Sequence, residues 1–332
     1  MHSYERQAGN TYGVQDPVAK PPYATLSYTW ARYLRHEDLS ARGIRISGID
    51  WDTPNIDPNH FTTQKLHQAI RKIREISQLD YLWIDLACIN VERIPEDDTD
   101  LEIDMQQDIF FNAAASFIWL SRTEHSYISQ LANMLVDVPI LDDAKTVSTL
   151  LRVMADPWFS SLWTLLEAAV GTKAIIISSD CQATTVHRAK IDPAFVDEPK
   201  AIRVASENDE SVFFEKISGS TVVGRGTAMS PVTSQFFTLR DLICLVERTI
   251  SLIPFGDQRD EVQEAVNRSG LLSLKPFNLL SIYGSAQHRH EMKPGLRLKY
   301  IHNQLFGFHN LPAGDTTGKM FGLAADYRVQ DS

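Results

Sequence analysis

The period of the apolar positions changes several times along the chain, and each change marks an element. Residues 1–22 are polar and close on Pro21-Pro22, which admits no helix and delivers the chain in extended form. Tyr23-Ala-Thr-Leu-Ser-Tyr-Thr-Trp30 is aromatic and β-branched, the pattern of a central strand, whereas Gly43-Ile-Arg-Ile-Ser47 alternates as a peripheral one does. From Thr62 the period becomes helical. Leu66, Ile70, Ile73 and Ile76 form one stripe, Lys65, Arg71, Lys72 and Glu75 lie elsewhere, and Thr62 or Thr63 is placed to cap the helix. Tyr81-Leu-Trp-Ile-Asp-Leu86 is a short, almost continuous apolar run, as expected of a strand covered on both faces, and it ends in one acid, Asp85. Ser116-Phe-Ile-Trp-Leu-Ser121 is a second such run, followed by helical stretches over 126–136 and 143–155. Asp156-Pro157 then supplies an N-cap and a first helical position for a helix running to about Val170, before Gly171; Lys173-Ala-Ile-Ile-Ile-Ser178 is a further strand.

Strands alternating with helices at this spacing predict an α/β fold with a mainly parallel sheet and flanking helices. Residues 187–235 are weakly periodic, while 236–253, 258–272 and 276–286 read as amphipathic helices, so the C-terminal region is expected to be mainly helical. The resulting division is an N-terminal arm (1–22), an α/β domain (23–185) and a helical region (186–332).

Composition narrows the function. With 43% apolar and 22% charged residues the chain can bury a core, and its formal charge of −10 comes without a concentrated basic stripe. Nucleic acid and anionic membrane surfaces are therefore poor partners. MHSYERQAGN holds no apolar signal core and no window approaches a membrane span, so the expected location is cytoplasmic. Cys88, Cys181 and Cys244 are odd in number and far apart, which predicts reduced core thiols. No zinc spacing is present; His288 and His290 read as a polar loop. Glu96, Asp97, Asp98, Asp100, Glu102 and Asp104 read as a solvated loop before a helix bearing Met105, Ile109 and Phe110, in preference to a cation site.

Phosphate-loop, dinucleotide-fingerprint, nucleophile-elbow and H-E-x-x-H motifs are all missing. Because ligands of parallel sheets bind beyond the carboxyl ends of the strands, Ser27, Tyr28, Trp30, Asp85, Asn90 and Ser121 come first into view. The most informative residue is Glu167. It sits among Leu165, Leu166, Ala168 and Ala169 in a helix without Lys or Arg, with Trp163 four residues before it on the same helical face. Desolvation there would raise its pKa. The pattern fits either a buried structural acid or a carboxylate that stabilises an oxocarbenium-like transition state beside a ribose. Trp163 likewise fits core packing or ligand stacking.

At these residues the chain resembles the fungal heterokaryon-incompatibility (HET) domains. Tyr23-Ala-Thr-Leu-Ser-Tyr-Thr-Trp30 is similar to their Y-x-x-L-S-Y-x-W-G block, Leu82-Trp-Ile-Asp-Leu-Ala-Cys-Ile-Asn90 to L-W-I-D-A-L-C-I-N-Q, and Pro157-Trp-Phe-Ser-Ser-Leu-Trp-Thr-Leu-Leu-Glu167 to P-W-F-x-R-x-W-T-x-Q-E. Ala31, Val91, Ser161 and Leu166 depart from these blocks, the last two replacing a polar Arg and Gln near Glu167. HET domains are similar in element order to Toll/interleukin-1 receptor (TIR) domains, which implies a TIR- or flavodoxin-like sheet. Carried over, the resemblance makes Glu167 the catalytic candidate, with Ser27, Tyr28 and Trp30 lining the nicotinamide and ribose side of the pocket; Asp85 and Asn90 read mainly as strand-end scaffolding and, with Trp163, are the further substrate-binding candidates. It implies NAD as substrate rather than cofactor, no metal, hydrolysis to nicotinamide and an ADP-ribose product, and a role in programmed cell death and fungal innate immunity. The alternative, favoured by the replaced Arg and Gln, is a non-enzymatic module that assembles with copies of itself or with an upstream sensor.

Overall fold

A computed structural model of the chain describes residues 21–30, 53, 56–88, 106, 109–136, 143–171, 173–187, 235–253 and 256–274. The N-terminal arm, the strand expected at 43–47, the acidic run at 96–104, Asn90, His288, His290, most of 187–235 and the helix expected at 276–286 lie outside the described residues.

The chain enters through strand β1 (Tyr23–Ser27) and crosses over by helix α1 (Thr63–Ser77) to β2 (Tyr81–Trp83). Thr62 caps α1 by accepting from Lys65 N at 3.2 Å, and Leu66, Ala69, Ile73 and Ile76 are its buried stripe. A single turn, α2 (Asp85–Cys88), follows, then β3 (Ala115–Trp119), α3 (His125–Val136) and α4 (Asp143–Met154). The helix expected from Pro157 to Val170 is two pieces. A 3-10 turn over Pro157–Ser160 stops at Ser161, whose backbone is extended (φ −89°, ψ 135°), and α5 (Leu162–Val170) starts afresh beyond it. The Thr164 hydroxyl stitches the break by donating to Ser161 O at 2.9 Å. The strand β4 (Ile175–Ile177) then leads to α6 (Leu239–Leu252), α7 (Asp257–Ser269) and a 3-10 turn, Leu271–Leu274.

The four strands form one all-parallel sheet in the order β2-β1-β3-β4, so the α/β architecture is as the alternation predicts. This is the order with which doubly wound sheets of the flavodoxin type begin, and it reverses direction between β1 and β3. The strands are shorter than their apolar runs: β1 ends at Ser27, before Trp30, and Asp85 lies beyond β2 at the start of a helical turn. The side of β4 away from β3 is occupied by the extended stretch before α6. Ile176 N donates to Phe237 O at 3.1 Å and Leu239 N to Ala174 O at 2.9 Å, which satisfies groups an open edge would expose. Thr238 ends that stretch and forms a capping box with Asp241.

Alternate strand residues feed two apolar layers. Ala24, Leu26, Tyr28, Phe117 and Trp119 face α1, while Ile118, Leu120 and Ile176 face α3, α4 and α5, joined there by Leu242, Val246, Val262 and Val266 of α6 and α7. The helices of residues 239–269 thus share a core with the sheet. None of the three cysteines forms a disulfide, but only Cys181 is a core thiol: Cys88 is exposed at the end of α2 and Cys244 is half-buried, because each sits on the outer side of its helix. Among the described residues no helix is long and apolar enough to cross a membrane.

Candidate functional site

Side chains on the α5 side of β1 alternate Thr25, Ser27, and both are buried polar groups. Thr25 is satisfied locally, donating to Ser116 Oγ at 3.0 Å. Ser27 reaches across to α5, donating to Glu167 Oε2, and accepts from the indole Nε1 of Trp158 at 2.8 Å. Its hydroxyl is thereby used both as donor and as acceptor.

Two features aim these partners. Asp156 caps the 3-10 turn, taking Trp158 N at 3.1 Å on Oδ1, and its Oδ2 takes Arg122 N at 2.9 Å and Thr123 Oγ1 at 3.0 Å from the link after β3. That turn holds Trp158 fully buried against Phe159, with ring centroids 5.0 Å apart. The extended Ser161 then lets α5 begin in a new direction, with Glu167 toward β1 and only 9% exposed.

A second acid stands at the end of β2. Asp85 is partly buried, accepts from Trp30 Nε1 at 2.6 Å on Oδ2, and takes Leu86 N at 2.7 Å on Oδ1. Burial raises the pKa of Asp85, against the lowering influence of its Trp30 and Leu86 hydrogen bonds. Burial also pushes Glu167 well above the usual carboxylate range; the nearby Asp85 charge adds to this and the Ser27 hydrogen bond opposes it. Tyr28 is raised by burial first and then by Asp85 and Glu167. Its hydroxyl faces Asp85 without closing a well-formed hydrogen bond. No cationic side chain among the described residues offsets either acid. Beside Glu167 lies a cavity of about 10 Å³, bordered by Ser27, Phe110, Ser116, Ala168 and Gly171, the space of roughly one water molecule.

The structure therefore brings together Ser27, Tyr28, Trp30, Asp85 and Glu167 around the carboxyl ends of β1 and β2. Asn90 lies outside the described residues, and of Trp163 only its place on α5 is described. Ser121, at the end of β3, is buried with a hydroxyl that has no partner among the described residues. Sequence reasoning missed Trp158 as a site residue. Its signal was an indole directly behind an Asp-Pro cap in an apolar turn, since a buried indole N–H needs an acceptor.

Residues 23–167, from the first residue of β1 to Glu167 itself, match the family model described as heterokaryon incompatibility protein (HET). Over this stretch the chain is similar to HET domains. Searches of curated proteins and of solved structures found no match to the chain. The HET match thus spans three of the four strands and ends within α5, while β4, α6 and α7 complete the same core beyond it.

Proposed function

We propose that this HET-like domain is an incompatibility-type cell-death effector, and that Glu167 is its reactive group in cleaving the glycosidic bond of NAD. The observation that carries this reading is a pair of acids, buried Glu167 and half-buried Asp85, with indole and hydroxyl donors but no counter-cation among the described residues. Such a pair attracts a cationic ring. A pyridinium brought between the acids lowers both pKa values, because an opposite charge favours the ionised forms. Glu167 then faces, as a carboxylate, the positive charge that develops on the ribose as the bond to nicotinamide breaks. The bonding pair leaves with nicotinamide, water adds to the ribose carbon, and one proton is released. Ser27 keeps the carboxylate aimed, and Tyr28 and Trp30 border the ring side of the site.

The second reading, a non-enzymatic assembly module, is favoured by the cavity: about 10 Å³ admits no ribose, so NAD binding calls for displacement of groups such as Phe110. The experiment that decides is nicotinamide release from NAD by concentrated or artificially clustered protein. The expected result is release by wild type and at least a hundredfold loss in Glu167→Gln, the scale on which removed transition-state contacts act. Wild-type protein inert in both states sinks the enzyme and leaves the module.

A further inference from the structure

Asp156 lies outside the acid pair but is joined to it by an unbroken chain of contacts. Its carboxylate holds the backbone N–H of Trp158; the Trp158 indole holds Ser27 Oγ; Ser27 holds Glu167. The same carboxylate binds the link after β3 through Arg122 N and Thr123 Oγ1. One 2%-exposed side chain thus fixes the turn carrying Trp158 against the sheet whose neighbouring strand carries Ser27. We propose that Asp156 is a positioning residue that sets the orientation of Glu167 through Trp158 and Ser27, so that the site is tightened or released by the charge on a carboxylate that never touches substrate. This deepens the proposed activity and rests on it for its catalytic consequence, though the mechanical coupling stands by itself.

Three donors converge on this carboxylate, and all three are best held by its ionised form. Burial opposes ionisation and pushes Asp156 up to about 6, against the lowering influence of Trp158 N, Arg122 N, the Thr123 hydroxyl and the Arg122 charge. Among the described residues no second acid or histidine acts on it. Protonation gives one oxygen a hydrogen in place of acceptor capacity, so the turn slackens as pH falls through the range where this acid titrates. The indole of Trp158 then shifts relative to Ser27, and Glu167 loses its fixed orientation.

The test follows the Trp158 indole N–H by NMR in the full chain, its resonance among six tryptophans assigned by its loss in Trp158→Phe. In the wild type it is expected to titrate with a midpoint near 6, in the range where buried acids and histidines respond. Asp156→Asn should abolish that titration and lower nicotinamide release about tenfold, with rate and resonance bending at the same pH, as a supporting residue does. Thr123→Ala keeps the acid and removes one donor to its ionised form, so the midpoint should move upward. This variant decides if Asp156→Asn does not fold. A flat wild-type resonance, a titration that survives Asp156→Asn, or an unmoved midpoint in Thr123→Ala overturns the proposal. If the resonance titrates as expected in a protein that leaves NAD intact, the coupling holds and the NAD reading falls.

Discussion

Replacing Ser27 with alanine removes one oxygen and orphans two buried groups, so its cost can be worked from the contacts. The Trp158 indole N–H is fully buried and loses its acceptor; the Glu167 carboxyl, 9% exposed, loses its donor. Each unsatisfied buried group costs roughly 1–3 kcal/mol. The vacated volume merges with the neighbouring cavity of about 10 Å³, enough for a water that partly replaces the hydroxyl, which places the net cost at about 2–4 kcal/mol. Trp158→Phe removes the donor and leaves a void, at a comparable cost. The double variant breaks the same hydrogen bond only once, so its cost should fall short of the sum by about 1–2 kcal/mol. Urea unfolding followed by circular dichroism reads these differences, with an unchanged denaturant slope as the check on two-state behaviour. A Ser27→Ala cost below about 0.5 kcal/mol, the scale of a surface substitution, or strict additivity in the double variant, would refute the hydrogen-bonded chain.

The remaining expectations concern pH and capping. Glu167 has a folded-state pKa above its unfolded value, so its stabilising contribution is complete below the unfolded pKa and is lost as pH rises through the folded one; Glu167→Gln should flatten that loss in thermal melts from acid to neutral pH. A variant whose melting curve keeps the wild-type pH slope contradicts the burial argument. Thr238→Ala removes the capping box that starts α6 and should cost about 1 kcal/mol, read as a lower urea midpoint.

What could be read from the sequence was whatever one segment decides alone. Thr62 and its stripe fixed α1, and the runs at Tyr81 and Ser116 marked strands, because burial on both faces leaves a composition visible within a few residues. The break at Ser161 was illegible: the apolar period passes through it undisturbed, and the extended backbone is held by Thr164 and by tertiary packing of Trp158 and Phe159. Glu167 stood out as a lone acid in an apolar helix, and Ser27 as a polar residue at a strand end. Their hydrogen bond, across 140 positions, follows from the parallel pairing of β1 and β3 beneath α5, which no local pattern encodes. Asp156 was legible as a cap, but its grip on Arg122 and Thr123 depended on where the end of β3 falls.

Stability alone does not account for these acids. Lifting Asp156 from its ordinary 3.8 to about 6 corresponds to about 3 kcal/mol given up in the ionised state, stability that is complete below the unfolded pKa and lost as pH rises through about 6. That is a substantial share of the roughly 5–15 kcal/mol that holds a domain folded. Asp85 and Glu167 are raised by burial as well, and no cation among the described residues offsets them. Well-packed apolar side chains of similar size would serve the core at least as well as buried charges do. Asp85 and Glu167, at the ends of two strands and each given its own indole, hydroxyl or amide donors, concentrate desolvation cost where positive charge on a ligand can relieve it, whereas Asp156 bears its cost in holding the turn that carries Trp158. A site of that kind is expected to bind a cation more tightly as pH rises and its acids ionise, and in the proposed reaction Glu167 is the acid that would pass this gain to the bond being cleaved.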